Sequence, residues 1–314
     1  MVSKPDILMM GAYPAWDMDV LDAHYVVHKL WEAADPDGMI EANRGTIRAI
    51  ATRGELGASA DLMKRLPKLE IVSCYGVGTD AIDLGYAKAN GIKVTNTPDV
   101  LTADVADMAV GLLLSVARKI PQADRFVREG NWGNGNMPLV TRVSGKKVGV
   151  VGMGRVGAAV SRRLAAFDCE IAYFDVSRRS DLPYMFVPDL VDLARRTEFL
   201  VVTLAGGDTT KNIIDAAVLD ALGSDGILIN VSRGSTIDET ALLRALEARM
   251  IKGAGLDVFW NEPNIDERFK ALDNTVLQPH HASGTTETRR AMGRLVCDNL
   301  AAHFAGTALI TPVA

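Results

Sequence analysis

The stretch VGVVGMGRVG, residues 148–157, places three glycines directly after an apolar run. Gly152, Gly154 and Gly157 have the G-x-G-x-x-G spacing, with the strand-like KVGVV before them and the helix-forming AAVSRRLAAF after them. In that context the first glycine permits a tight turn, the second lets the main chain approach a pyrophosphate, and the third lets the helix pack closely on the strand. The stretch therefore predicts a βαβ unit that holds a dinucleotide at the N-terminus of its helix. A glycine-rich turn with only a structural role is the alternative.

The end of the next predicted strand bears on the choice of cofactor. Asp175 ends EIAYFD (170–175), about where an acidic residue would bind the adenosine ribose. Its carboxylate accepts hydrogen bonds from a ribose diol and repels a 2′-phosphate, which favours NAD over NADP. Ser177, Arg178 and Arg179 follow at once, and they could instead surround a 2′-phosphate. The sequence thus predicts NAD or NADP, with a preference for NAD.

The composition limits the class of protein. The chain has 314 residues, of which 48% are hydrophobic, and this length predicts two domains. The formal net charge is -5 with acidic and basic residues interspersed, so neither nucleic acid nor an anionic membrane surface is an expected partner. Cys74, Cys169 and Cys297 are widely spaced in apolar contexts and are interpreted as buried thiols in a reducing cytoplasm. The first residues predict neither a signal peptide nor a membrane span.

Short apolar runs alternate with helical patterns along the chain, which indicates repeated βα units. Predicted strands cover residues 6–11, 25–30, 47–52, 69–76 and 92–96 in the first part, and 147–153, 170–175, 197–205, 226–232, 252–259 and 275–280 in the second. The near-continuous hydrophobicity of the second set fits parallel strands covered on both faces. Residues 100–120 carry apolar side chains at helical spacing over about five turns, so we expect a long helix that crosses from one domain to the other. The predicted fold class is α/β with two parallel sheets.

Three polar residues follow predicted strands of the second sheet: Arg233 in INVSRGS, Glu262 in LDVFWNEP and His280 in VLQPHHASGT. Ligands of open parallel sheets bind beyond the carboxyl ends of the strands, so these side chains are expected to share one site. Singly, each has another interpretation: a surface ion pair for Arg233, a turn residue before Pro263 for Glu262, and an ordinary loop histidine for His280. Together they predict the reduction of a carbonyl group.

The chemistry of carbonyl reduction accounts for these residue types. Hydride transfer from a nicotinamide leaves negative charge on the oxygen, and a histidine can supply a proton as that charge develops. A neighbouring carboxylate, Glu262, would orient the ring and stabilise the imidazolium. The guanidinium of Arg233 offers planar donors to both ends of a 2-oxo acid. His280 is preferred over His281 as the proton donor, because it comes first after the strand and Pro279.

In order and spacing, GMGRVG, INVSRGSTIDETAL, GAGLDVFWNEP and QPHHASGT resemble the D-isomer-specific 2-hydroxyacid dehydrogenases. Residues 69–114 are similar to that family's segment from the substrate loop to the interdomain helix, and the likeness covers nearly the whole chain. Within the family, the chain resembles the glyoxylate/hydroxypyruvate reductases and their hydroxyphenylpyruvate-reducing relatives. The resemblance implies NAD(P)H-dependent reduction of glyoxylate, hydroxypyruvate or a similar small 2-oxo acid to a D-2-hydroxy acid.

The resemblance also implies roles for individual residues. The family's catalytic set matches Arg233, Glu262 and His280. The substrate is expected to contact Arg233, His280 and the backbone of a loop that can form an anion-binding nest, which consists of Gly76, Val77 and Gly78. The cofactor is expected to contact the fingerprint turn and the loops that follow the strands: Thr102, Gly152, Met153, Gly154, Arg155, Val156, Gly157, Asp175, Ser177, Arg178, Leu204, Thr210, Val231, Ser232, Asp257 and Ser283. Asp257 could equally cap the loop that follows it.

The implied architecture is two Rossmann-like or flavodoxin-like α/β domains, with the nucleotide domain inserted into the substrate domain. Residues 1–99 and 283–314 would form the substrate-binding domain, and residues 100–282 the dinucleotide-binding domain. Members of the family usually pair through the region around residues 100–145. A homodimer is therefore expected.

Other interpretations remain open beside this one. Relatives that use NADPH commonly carry an arginine where this chain has Asp175 and Val176, and TLAGGDTT (203–210) lacks a proline that many relatives have. The alternative function is a dinucleotide-sensing binding protein, similar to corepressors that resemble this family, with cofactor-driven association and dispensable catalytic residues. The SGTT after the histidine also resembles formate dehydrogenases, but Glu262 argues against that chemistry, since formate needs no proton removed by a base.

Overall fold

The computed structural model describes residues 4–313, which form two compact units. Unit 1 runs to Leu101 and resumes at Gly284, whereas unit 2 is Thr102–Ser283. Each unit contains one sheet whose paired strands are all parallel. The predicted α/β class with two parallel sheets is therefore confirmed. The assignment of substrate binding to one unit and dinucleotide binding to the other stays a prediction.

Unit 1 is built on a five-stranded sheet in the order β2-β1-β3-β4-β5. Its strands are β1 Asp6–Met9, β2 Val26–Lys29, β3 Ile47–Arg53, β4 Ile71–Tyr75 and β5 Lys93–Thr95. Its helices are α1 Ala15–His24, α2 Pro36–Asn43, α3 Ala60–Lys64, α4 Leu84–Ala89 and, from the far end of the chain, α12 Thr286–Phe304. All five strands predicted for this part of the chain are present, most of them shorter at their ends.

The central strands of unit 1 are buried on both faces, which explains their near-continuous apolar sequence. Successive side chains of a strand point to opposite faces, so Leu8 and Val72 pack in one core cluster while Ile7 and Ile71 pack in another. Helix α12 packs against the second cluster, with Val296 fully buried. The C-terminal helix thus completes the core begun by the first strands.

Unit 2 is built on a seven-stranded sheet in the order β12-β11-β10-β9-β6-β7-β8. Its strands are β6 Lys147–Val151, β7 Glu170–Phe174, β8 Met185–Phe186, β9 Phe199–Val202, β10 Ile227–Asn230, β11 Gly253–Leu256 and β12 Thr275–Leu277. Its helices are α5 Thr102–Arg118, α6 Ile120–Arg128, α7 Arg155–Ala165, α8 Leu190–Arg196, α9 Ala216–Leu222, α10 Glu239–Glu247 and α11 Arg268–Ala271. The six predicted strands are present, but β8 was missed because two residues are too few to show an alternation.

The long helix predicted over residues 100–120 forms as α5, but it lies wholly in unit 2. Val100 and Leu101 of the predicted segment belong to unit 1, so the segment passes from one unit to the other although the helix itself does not. Its apolar face, which includes Val105 and Leu112, is buried. Leu112 comes so close to β11 that a side chain at Gly255 would meet its Cβ at 3.0 Å. The helix belongs to unit 2 because its apolar face packs on that unit's own sheet.

Two predictions drawn from composition also have a structural outcome. Cys74 and Cys169 are buried, whereas Cys297 is only half-buried. Between residues 4 and 313, no helix combines the length and the apolar character needed to cross a bilayer. The cytoplasmic location stays a prediction.

Candidate active site

Three neighbouring strands of unit 2 bring the predicted catalytic residues to the same edge of the sheet. Arg233 follows β10, Glu262 follows β11 and His280 follows β12. These strands are adjacent and parallel, so their carboxyl ends lie side by side. The structure thus assembles residues that are 47 positions apart at the extremes, 233 and 280, at the edge where open parallel sheets bind ligands.

His280 and Glu262 form a direct pair. The Nδ1 of His280 lies 2.6 Å from the Oε2 of Glu262, and the other carboxylate oxygen accepts the backbone N–H of Phe259 at 2.8 Å. The carboxylate is therefore held from both sides, and Nε2 is the ring nitrogen directed away from it. The His280 side chain is 41% exposed, so the ring is not enclosed in the core.

The pair also sets the charge of the carboxylate. Burial pushes the pKa of Glu262 upward, but the hydrogen bond and charge of His280 outweigh this effect and hold that pKa below the usual range for glutamate. The charge of Arg233 acts in the same direction. Glu262 is therefore an anion at neutral pH, which is the state that stabilises an imidazolium.

Asp257 shapes the loop that carries His280. Its side chain is buried, and its two carboxylate oxygens accept the backbone N–H groups of His281 at 2.7 Å and Ala282 at 3.0 Å. Its carbonyl accepts the N–H of His280 at 2.8 Å, and His280 has a positive φ of 52°. Burial raises the pKa of Asp257, although the two N–H groups oppose that effect. Asp257 thus caps the loop after β12, and its predicted contact with a cofactor stays a prediction.

The structure distinguishes the two adjacent histidines. Glu262 bonds to the ring of His280, whereas the N–H of His281 is used by Asp257 and its side chain is exposed. Only one of the two rings therefore has the carboxylate partner expected of a proton donor.

Gly234 brings the loop of Arg233 against the loop of Glu262, a contact that the sequence patterns did not reveal. A methyl group at Gly234 would overlap the carbonyl of Phe259 and approach the N of Trp260 at 2.6 Å. Only glycine leaves room for the two main chains at this separation. The one signal in the sequence is that Gly234 directly follows Arg233.

The predicted fingerprint turn has the geometry that a pyrophosphate requires. Gly152 has a positive φ of 95°, and a Cβ at Gly157 would overlap the carbonyl oxygen of Gly152. A Cβ at Gly154 would meet nothing within 4 Å, so the main chain there borders open space. Helix α7 begins at Arg155 without a side-chain cap, which leaves its N-terminal backbone as the feature that favours an anion. These residues fit a dinucleotide.

Asp175 and Arg179 both lie against this turn. The carboxylate of Asp175 accepts the N–H of Met153 at 2.6 Å and that of Val176 at 2.7 Å. The guanidinium of Arg179 donates to the carbonyl of Met153 at 3.1 Å and forms an ion pair with Asp181 at 2.7 Å. An anion and a cation therefore stand together where the adenosine ribose is expected.

The remaining predicted cofactor contacts differ in how far they are exposed. Three are buried and support the loops from within: Met153, Val231 and Ser232. Thr210 closes its own loop, since its hydroxyl bonds to the carbonyls of Ala205 and Gly207. The others are partly or fully exposed: Thr102, Arg155, Val156, Ser177, Arg178, Leu204 and Ser283. Their contacts with a cofactor stay predictions.

The predicted substrate loop of unit 1, Gly76–Gly78, has its carbonyls bound from inside that unit. The donors are Thr97 N at 2.9 Å, Asn96 Nδ2 at 2.8 Å and Cys74 Sγ at 3.5 Å. In a trans peptide the C=O and the following N–H point in opposite directions. The N–H groups of Val77, Gly78 and Thr79 therefore point away from these donors, and the anion-binding nest stays a prediction.

Comparison with known protein families gives one match that covers over half of the chain. Residues 110–282 match the model described as D-isomer specific 2-hydroxyacid dehydrogenase, NAD binding domain. The matched segment contains the fingerprint turn and all three predicted catalytic residues.

Individual relatives match over nearly their whole length. The glyoxylate/hydroxypyruvate reductase A HPR2 of Arabidopsis thaliana is 45% identical over 307 residues, 98% of each chain. The crystallised 2-hydroxyacid dehydrogenase of Ketogulonicigenium vulgare Y25 is 53% identical with a TM-score of 0.94, covering 100% of this chain and 99% of that one. The NADPH-dependent glyoxylate/hydroxypyruvate reductase of Sinorhizobium meliloti, solved with NADP and malonate, is 44% identical with a TM-score of 0.93, covering 99% and 97%.

Proposed function

The chain belongs to the D-isomer specific 2-hydroxyacid dehydrogenase family, and we propose that it reduces small 2-oxo acids such as glyoxylate or hydroxypyruvate to D-2-hydroxy acids. It is an NAD(P)-dependent oxidoreductase of that family. The observation that carries the substrate proposal is the 2.6 Å pair of Glu262 with His280, at the sheet edge that also carries Arg233. A protonating histidine beside a permanent cation is the set that a 2-oxo acid requires.

The proton that completes the reduction comes from His280. When bound, the reduced nicotinamide supplies a hydride to the carbonyl carbon of the substrate. His280 delivers its Nε2 proton to the carbonyl oxygen as negative charge grows there. Glu262 accepts the Nδ1–H bond throughout, so the imidazolium is stabilised before transfer and the ring keeps its orientation after it.

Arg233 is the residue proposed to bind the negative groups of the substrate. Its guanidinium polarises the carbonyl and keeps the oxo acid oriented for transfer. The protonation step is thereby left to His280. The substrate contacts of Gly76–Gly78 stay a prediction.

We propose that the enzyme accepts NADPH. The preference for NAD inferred from Asp175 finds no support among the relatives, since the Sinorhizobium meliloti reductase is NADPH-dependent. In this chain both oxygens of Asp175 already accept backbone N–H groups, and Arg179 places a cation at the same turn. A carboxylate that accepts two N–H groups repels a 2′-phosphate less than a carboxylate without such bonds. The guanidinium of Arg179 attracts the phosphate.

We also propose a homodimer that forms through residues 100–145. Large apolar side chains are exposed in helix α6 and the segment after it: Ile120, Val127, Trp132 and Leu139. Leu139 is fully exposed and Trp132 is 69% exposed. Contiguous exposed apolar surface marks interaction sites in soluble proteins, and these four residues lie within 20 positions of one another in the sequence. The resemblance to the family implies that a second copy of the chain covers these residues.

A substrate panel tests the proposed reaction. Glyoxylate, hydroxypyruvate and larger 2-oxo acids would each be assayed with NADH and with NADPH, and the product resolved by chiral chromatography. We expect turnover with at least one small 2-oxo acid and a D-configured product. Absence of turnover with every member of the panel would refute the proposal. Cofactor-dependent association with another macromolecule, unaffected by His280→Gln, would instead support a sensing protein.

A further inference from the structure

We infer that Asn230 and Thr236 are positioning residues that hold Arg233 in place, an inference that rests on the proposed function. Both side chains are fully buried. Both form hydrogen bonds with the turn that carries Arg233. Neither residue stands out in the sequence, where Asn230 ends an apolar strand and Thr236 lies in a short polar segment.

The carbonyl of Arg233 is the point at which these bonds meet. It accepts the Nδ2–H of Asn230 at 3.0 Å, the hydroxyl of Thr236 at 2.7 Å and the backbone N–H of Thr236 at 3.2 Å. Three donors on one carbonyl fix the peptide plane that follows Arg233. Because Asn230 is the last residue of β10, its hydrogen bond holds that peptide plane in a fixed position relative to the sheet.

All hydrogen-bond donors and acceptors of the Asn230 side chain are already used within the protein. Its Oδ1 accepts the N–H of Ser232 at 3.0 Å and the hydroxyl of Ser232 at 2.8 Å, while its Nδ2 donates to Arg233 and, at 3.4 Å, to Thr236. An asparagine amide offers two N–H groups and two acceptor lone pairs. All four are used within one turn, so Asn230 acts on the reaction only through Arg233.

The same turn determines where the guanidinium lies. The Nη1 of Arg233 donates to the carbonyl of Ser232 at 2.7 Å, so the charged group is seated against its own backbone. The main chain of Asn230 also joins this turn to the histidine side of the site, because its carbonyl accepts the N–H of Asp257 at 3.0 Å. A shift of about 1 Å in a substrate-orienting group can cost about a hundredfold in rate. These buried hydrogen bonds therefore keep Arg233 correctly oriented for the substrate, in addition to stabilising the fold.

Thr236→Val tests this inference, since it removes the hydroxyl and keeps the shape. We expect the KM for the 2-oxo acid to rise about tenfold or more, with a smaller effect on the affinity for the cofactor, whose predicted contacts Val231 and Ser232 lie in the same turn. Thr236→Ser retains the hydroxyl and should restore most of that loss. Thr240→Val, at an exposed position of helix α10, is the matched control and should leave both constants unchanged.

A readout that does not depend on turnover separates this inference from the proposed function. Hydrogen exchange of the backbone amides of residues 231–237 should be faster in Thr236→Val than in wild type and Thr236→Ser. Unchanged exchange in that segment would overturn the positioning role. So would a rise in KM that is matched by equal losses of cofactor affinity and thermal stability in both Thr236 variants. Wild-type enzyme that turns over no 2-oxo acid would refute only the proposed function.

Discussion

Gly234 lies so close to Phe259 that a methyl group in its place would overlap the Phe259 carbonyl. The contact joins the loop that carries Arg233 to the loop that carries Glu262. Gly234→Ala must therefore push the two loops apart, and we expect the free energy of unfolding to fall by about 1–3 kcal/mol, as for other overpacked sites. We also expect kcat/KM to fall at least tenfold. Urea denaturation and steady-state kinetics would measure the two effects.

The control for this variant is Gly45→Ala, because a methyl group there would meet nothing within 4 Å. It should leave stability and kcat/KM near wild type. A Gly234→Ala enzyme with unaltered kinetics would show that the spacing of the two loops is irrelevant to the reaction.

The pair of His280 and Glu262 predicts a particular dependence on pH. Reduction consumes a proton, so kcat/KM should fall as pH rises. Because the pKa of Glu262 is held below its usual range, the carboxylate should stay charged as pH falls through that range, and the pair should be lost only at lower pH. His280→Gln should lower kcat/KM by about 10²–10⁴-fold.

Glu262→Gln should remove the charge of the carboxylate, and we expect kcat/KM to fall by less than in His280→Gln. Steady-state kinetics of wild type and both variants would measure this. Cofactor affinity, taken from fluorescence titration, is the control and should change little. Unaltered kcat/KM in Glu262→Gln would contradict the assigned role of the carboxylate.

Asp175 and Arg179 should have opposite effects on the choice between NADPH and NADH. Asp175→Asn removes the charge that repels a 2′-phosphate, so we expect the ratio of kcat/KM for NADPH over NADH to rise about tenfold. Arg179→Ala should lower the same ratio by a similar factor. Arg195→Ala, on helix α8, provides the control at a position without any predicted cofactor contact. Equal ratios in wild type and both variants would exclude the turn after β7 as the determinant.

Leu139 should be a contact between two copies of the chain. Its side chain is fully exposed, so Leu139→Asp costs a single chain no packing, whereas it would place a charge in an apolar interface. We expect the dimer dissociation constant to rise more than tenfold. Light scattering after size-exclusion chromatography would report the mass. Val20→Asp, on helix α1, should stay dimeric, and a wild-type chain that is monomeric at micromolar concentration would contradict the proposal.

Asp17 should make the stability of the protein depend on pH. Burial raises the pKa of Asp17 to about 6, although Arg290 and Trp16 oppose this shift, and the carboxylate lies against Gly293. The folded state therefore binds a proton more tightly than the unfolded state, and stability falls as pH rises from about 4 to 6. Asp17→Asn should be more stable than wild type by about 1–2 kcal/mol at pH 8, and by little at pH 4.

Urea denaturation across this pH range would measure the difference between Asp17→Asn and wild type. A difference that is the same at every pH would show that the carboxylate does not titrate in the folded protein. Asp19→Asn, on the same helix, is a suitable control for the loss of one negative charge.

Much of the site was predictable because its signals are local. The glycine spacing, the preceding apolar run and the following helical pattern lie within about 20 consecutive residues, and they led to the turn of Gly152, Gly154 and Gly157. The rule that parallel strands present ligands at their carboxyl ends was enough to group Arg233 with His280. The missed strand β8 shows the limit of this reasoning, because two residues carry no periodicity.

The sequence by itself determined the α/β class, and it predicted the glycine turn and the residues of the proposed protonating set, since periodicity and the order of strands and loops can be read along the chain. Tertiary structure alone decided that Gly234 contacts Phe259 and that Asp257 binds the loop of His280. Each of these depends on side chains or loops that are distant in sequence and meet only when the sheet forms. Packing and burial, rather than local pattern, select such contacts.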